Sequence, residues 1–107
     1  MLEAIAPDAD DMHLLKPRHS AFHQTALAHL LQEADVDRLL ITGIATEACV
    51  LATALDARIR DLDVVVVADC AASGSTARHA HALAVLRDCG VPLRRAAAAA
   101  AARPART

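Results

Sequence analysis

Residues 39–50 read LLITGIATEACV, and residues 51–57 continue as LATALDA. The apolar run 39–42 has the length of a buried strand, and Gly43 closes it. Apolar residues then recur at 50, 51, 54, 55 and 59, the spacing of one helix face. Thr46 stands where it can cap that helix. A strand, a tight loop and a helix in this order are the repeating unit of a parallel α/β sheet. Cys49 falls near the first turn, where unpaired amides and the positive end of the helix dipole favour thiolate over thiol. From position alone it reads either as a small packing residue or as a nucleophile.

The flanking segments repeat the alternation. Upstream, residues 24–34 carry apolar positions 27, 30, 31 and 34 and predict a helix. Residues 12–15 predict a short strand, stopped at Lys16-Pro17. Downstream, residues 64–67 are four consecutive valines, β-branched and apolar on both faces, as a parallel strand between helix layers requires. Residues 73–76, Ser-Gly-Ser-Thr, form a loop rich in cap candidates before a helix through Asp88 with a stop at Gly90. Residues 91–93 predict a last short strand. The fold class is α/β, a Rossmann-like three-layer α/β/α with a parallel sheet, in one domain over residues 1–95. Residues 1–11 read as an acidic, irregular lead-in, and 96–107 as a low-complexity alanine-rich tail with nothing to pack.

Composition excludes several classes. The 107 residues carry a formal charge of −2, which gives no electrostatic hold on nucleic acid or an anionic membrane. One Phe and no Trp or Tyr leave no platform for stacking bases. No apolar run has the length of a membrane span, and the acidic start lacks a signal peptide's basic region. Cys49, Cys70 and Cys89 make an odd count with neither a CxxC pair nor zinc spacing, so the expectation is a reduced, cytoplasmic protein. No dinucleotide or P-loop glycine motif follows a strand. Ser73 to Thr76 could hold a phosphate at a helix start, but an N-cap is the simpler reading.

A reactive thiol needs a group that takes its proton and a cation that holds it ionised. Lys16, in KPRHSAF at residues 16–22, is the candidate, because Pro17 fixes the chain direction at the carboxyl edge of the sheet. Taken together, Lys-x-x-x-Ser-Ala-Phe (16–22), Gly-x-x-Thr-x-x-Cys-Val (43–50), Thr-Ala-x-Asp-Ala (53–57) and an apolar strand ending in Asp69 resemble the isochorismatase-like cysteine hydrolases. That superfamily includes nicotinamidases and N-carbamoylsarcosine amidase. The resemblance covers residues 16 to about 93 and implies that Cys49 is the nucleophile and Lys16 its catalytic partner. It also implies a cis peptide at Ile44–Ala45, with the Ala45 and Cys49 amides aimed at an oxyanion. The substrate implied is a small molecule with an amide, other C–N or vinyl-ether bond. Glu47 resembles the variant in amidase-type members.

The same resemblance sets what the chain lacks. The family's triad adds an Asp at the end of its first strand, in an apolar-strand-Asp-x-Gln segment. None stands here, and Asp8, Asp10 and Asp11 follow no such strand. The chain therefore matches the C-terminal portion of the family fold. In the family strand order 3-2-1-4-5-6 it would supply strands 3, 4, 5 and 6. Strand 4 (39–42) would lose a neighbour and show a bare apolar edge. The implied partners are a second copy or a complementing N-terminal half; a truncated product and an association module are both open readings. No cofactor or metal is expected. His13, His19, His23, His29, His79 and His81 read as surface or loop residues, with His79 and His81 on different sides of their helix. Cys70 could approach Cys49, although a small residue filling a small space is the simpler reading, and Cys89 reads as packing.

Overall fold

The four valines form the centre of the structure. In the computed structural model, which describes residues 6–101, they lie within β2 (Asp63–Ala72) and all are buried. β2 is flanked by β1 (Arg38–Ile44) and β3 (Leu93–Arg94) in a parallel sheet of order β1-β2-β3. The helices are α1 (Leu27–Glu33), α2 (Leu51–Ile59), α3 (Thr76–Asp88) and α4 (Ala96–Ala101). The α/β class with a parallel sheet is the one the alternating pattern predicts.

Register divides the apolar residues between two faces. Leu39 lies opposite Val64, Leu40 opposite Val65 and Ile41 opposite Val66. Val64 and Val66 join the main core with Phe22, Val50, Ala54 and Leu86, and Leu39 and Ile41 pack against it. Val65 and Val67 are buried outside that cluster, and α4 packs against β2 with Ala99 buried. Beyond Ile41 the pairing slips: Gly43 lies opposite Ala71, so two steps along β1 match five along β2. The slip carries residues 67–70 out of the β1 ladder, and burial along β2 ends after Val67.

Several expectations change. Residues 12–15 are irregular, with Leu15 96% exposed; a short apolar run becomes a strand only where a ladder receives it, and none does. The predicted helix at 24–34 begins at Leu27, because Gln24 has φ 52 and a left-handed residue cannot continue a right-handed helix. The last strand sits at 93–94 instead of 91–93: Pro92 has no N–H for the ladder, and its carbonyl accepts from Val66 N at 3.0 Å. The alanine-rich tail is not loose over residues 96–101. Its first amide donates to Asp69 Oδ1 at 2.7 Å, and Arg95 lies 3.9 Å from the other carboxylate oxygen. Residues 1–5 of the lead-in and 102–107 of the tail lie outside the described residues. Ser75 caps α3 by accepting from the Arg78 amide at 3.3 Å, and Gly90 takes φ 85 after the helix end. Among the described residues no helix is long and apolar enough to cross a membrane.

Candidate active site

The chain turns at the carboxyl end of β1. Gly43 takes φ 120, the Ile44–Ala45 peptide is cis, and residues 46–50 wind as one π-helical turn before α2 begins. The wide winding shows in the hydrogen bonds: Val50 N reaches Ala45 O at 3.2 Å, five residues back, and Ala48 N reaches the same carbonyl at 3.0 Å. In such a turn the five-residue ladder starts at Val50, so the Cys49 amide precedes it. Cys49 is half-buried and free.

Lys16 arrives from a different part of the chain. Its ammonium donates to Cys49 Sγ at 3.2 Å, to Arg18 O at 3.2 Å and to His19 O at 3.2 Å. The two carbonyls belong to its own segment and hold the charge in place; among the described residues no carboxylate pairs with it. That segment, residues 16–22, is strapped to α2. Ser20 Oγ donates to Asp56 Oδ2 at 2.8 Å and Ala21 N donates to Thr53 Oγ1 at 3.0 Å. Phe22 then enters the core, with the Arg60 guanidinium 4.9 Å from its ring centroid. Partial burial pushes the Asp56 carboxyl up, but the Ser20 hydroxyl and the Arg60 guanidinium outweigh it and hold it below the usual range.

The strap explains two sequence motifs as one contact. Thr53 and Asp56 are three residues apart, on one face of α2, and they receive the Ser-Ala part of Ser-Ala-Phe. Sequence reading singled out both motifs without pairing them. The signal available was that spacing of two polar groups on a helix whose neighbours are apolar.

The opposite side of the turn is held by the β2–α3 connection. Ser73 Oγ donates to Glu47 Oε2 at 2.6 Å, and this bond holds the Glu47 carboxyl below the usual carboxylate range. Thr46, expected to cap the helix, makes no cap hydrogen bond; its buried hydroxyl lies 2.7 Å from His79 Nδ1. His79 is accordingly half-buried, not a surface residue, while His13, His19, His23, His29 and His81 are exposed. The division of His79 and His81 between helix sides is what brings one of them to Thr46.

The structure brings Lys16, Ile44, Ala45 and Cys49 to one sheet end, with the Ile44 side chain exposed and Ala45 half-buried. Cys70 and Cys89 are free and exposed, so neither fills a core space: Cys70 lies within the register slip, and Cys89 follows the end of α3. Asp8, Asp10 and Asp11 are exposed, and the Asp11 carboxylate accepts from the Asp8 amide at 2.9 Å. Among the described residues no three His, Cys, Asp or Glu side chains gather as a metal site.

The parallel sheet with its alternating helices agrees with the family comparison. The Isochorismatase domain matches residues 1–98, and the chain belongs to this family of isochorismatase-like hydrolases. The isochorismatase family protein YaaI of Bacillus subtilis (strain 168) is 43% identical over 88 residues, covering 82% of this chain and 49% of YaaI. A solved isochorismatase-like hydrolase from Alkaliphilus metalliredigens superposes with a TM-score of 0.89 at 29% identity, covering 94% of this chain and 55% of that one. The nicotinamidase of Staphylococcus aureus gives a TM-score of 0.73 at 31% identity, over 77% of this chain and 52% of that one. The chain therefore spans about half the length of these relatives.

Proposed function

We propose that this chain carries the nucleophile of a cysteine hydrolase that cleaves an amide or related C–N bond of a small molecule. The observation that carries the reading is the Lys16 ammonium 3.2 Å from Cys49 Sγ. At that distance the ammonium is placed to stabilise negative charge on the sulfur as it attacks, and the amides at the head of the helix point to the same end of the sheet. The thiolate attacks the carbonyl carbon, and the oxyanion is received by the Ala45 and Cys49 amides. The amine leaves with a proton, and water then hydrolyses the thioester. The nicotinamidase neighbour supports an amide as the bond cleaved. The reaction also needs a general base. No carboxylate among the described residues meets Lys16, so the base is assigned to an Asp-bearing segment beyond the described residues, in cis or as a complementing half. General-base help is worth about 10²–10⁴-fold in rate, so the chain alone turns over little or not at all. Three free thiols, two of them exposed, suit a reducing cytoplasm.

The test has two parts. Limiting iodoacetamide followed by peptide mapping should label Cys49 before Cys70 and Cys89. Hydrolysis of nicotinamide and a panel of small amides should then appear when the complementing half is supplied and vanish with Cys49→Ala. Robust turnover by the isolated chain would overturn the assignment of the base. Equal labelling of all three thiols would overturn the nucleophile.

A second reading has its own observation. Leu40 and Ile44 on β1 are exposed large apolar residues beside an unpaired strand edge among the described residues. A non-catalytic association module, pairing with a second copy or a complementing half through that edge, fits them. A monomeric mass at all concentrations removes the self-pairing form of this reading.

A further inference from the structure

The turn that bears Cys49 is bound to α3 through a residue that takes no part in the proposed chemistry. Thr46 opens the turn and is 0% exposed. A hydroxyl sealed from water needs a protein partner, and Thr46 Oγ1 has one in His79 Nδ1, 2.7 Å away. Beside it, Glu47 is tied to Ser73 at 2.6 Å, and Ser73 Oγ also accepts from the Ser75 amide at 3.2 Å, one residue ahead of α3. The first two residues of the turn are thus anchored to the α3 side. Cys49, three residues after Thr46, faces the lysine on the strap. Sliding or tightening the turn by a fraction of its pitch would break the 3.2 Å approach of Sγ to Lys16.

We propose that His79 is a positioning residue: by holding Thr46 Oγ1 it fixes the backbone of the turn so that the Cys49 sulfur stays against the Lys16 ammonium. This rests on Cys49 being the nucleophile. His79 touches neither the sulfur nor the ammonium, and its effect runs through the peptide units between Thr46 and Cys49. Half-burial and a short bond to a buried hydroxyl distinguish it from the other five histidines, all exposed.

The experiment measures iodoacetamide alkylation of each thiol, by peptide mass, in the full chain and in Thr46→Val, Thr46→Ser, His79→Ala, His79→Asn and the Thr46→Val/His79→Ala double variant. Misplacement of a reacting group by about 1 Å can cost about 10²-fold, and a loss of at least about tenfold at Cys49 is expected in Thr46→Val and His79→Ala. Cys70 and Cys89 should label at the parent's rate. Thr46→Ser and His79→Asn, which keep a hydrogen-bonding group in place, should retain the parent's Cys49 rate. The double variant should be no slower than either single. A fast parent Cys49 left unchanged by Thr46→Val and His79→Ala would overturn the positioning role and leave the nucleophile standing. A parent Cys49 no faster than the other two thiols would overturn both. Parallel acceleration of all three thiols with loss of the circular-dichroism signal, or additive effects in the double variant, would reduce His79 to a general structural role and overturn the proposal.

Discussion

Leu40 and Val65 are register partners on neighbouring parallel strands, on the same face of one sheet, yet Leu40 is 48% exposed and Val65 2%. Both stand in apolar runs that read as buried strands. The difference lies in what surrounds the strand. β2 has a neighbour on each edge and α4 packed against it, whereas among the described residues β1 has one neighbour. On the other face, Leu39 and Ile41 are half-buried against the cluster that holds Phe22, and Leu27 and Leu31 pack there too. An apolar run thus specifies a strand, and position in the sheet decides how many of its faces are covered.

The largest effect should come from placing a charge at each of the two partners. Val65→Asp buries a carboxylate with no counter-charge. An uncompensated buried charge costs about 3–5 kcal/mol, a large share of the roughly 5–15 kcal/mol that holds a domain together. We expect no cooperative urea transition by circular dichroism. Leu40→Asp should shift stability by no more than about 0.5 kcal/mol, as exposed substitutions do. If Leu40→Asp proved equally damaging, and more so at high protein concentration, the uncovered face of β1 would be occupied in solution by a second copy.

An intermediate effect is expected where the strap meets α2, because the strap brings Phe22 into the covered side of β1. Asp56→Ala strands the Ser20 hydroxyl and releases Arg60, which pairs with Asp56 at 2.9 Å. Leaving such groups unsatisfied costs about 1–3 kcal/mol, readable as a lower urea midpoint. Alkylation of Cys49 should slow as well, since Lys16 is held by the same strap. Lys16→Met separates the two effects: Cys49 should slow with little change in the midpoint. A Cys49 rate indifferent to both variants would show that the lysine does not tune the thiol.

Part of the Asp56 contribution should depend on pH, and so be smaller than the full deletion. Its folded-state pKa is lowered, net of the opposing push from burial. A depressed carboxyl contributes stability that is present above the unfolded pKa, about 3.9 for Asp, and lost as pH falls from there through the folded value. Urea midpoints taken downward from pH 5 should therefore fall more steeply for the parent than for Asp56→Asn. Parallel curves would mean that the Ser20 and Arg60 contacts do not hold the ionised form.

How much of this was legible depended on range. The β1–turn–α2 unit, the valine strand, the Ser75 cap and the Gly90 stop rest on local chemistry within a few residues, and sequence is enough for them. Lys16 and Cys49, 33 residues apart, could be nominated as partners from the residues, but their pairing rested on the resemblance, because no local rule brings a strap onto a particular helix. Thr46 shows the limit most plainly. Its type and place suited an N-cap, but a half-buried imidazole on α3 competed for the same buried hydroxyl, and burial of that hydroxyl decided the outcome. The alanine-rich segment misled for a related reason: alanine has little to bury, yet a carboxylate from β2 meets the first amide of α4 and sets the helix on the sheet.

The smallest effect expected is at Cys70, and it tests whether strand membership or register controls burial. Cys70 belongs to the same strand as Val65, yet it is exposed. The register slip accounts for this: Ile41 faces Val66 but Gly43 already faces Ala71, so the residues between them leave the ladder with β1. A bulged segment of this kind turns side chains away from the faces its neighbours occupy. Cys70→Ser should therefore behave like a change on the bare side of β1, shifting the urea midpoint by an amount equivalent to about 0.5 kcal/mol or less. The Cys49 alkylation rate should stay at the parent's value, because an exposed thiol outside the ladder does not support the turn. A loss well above 1 kcal/mol would place Cys70 in a packed environment, and the contrast between the two strands would then reduce to the presence or absence of a neighbouring strand, with no part played by the slip.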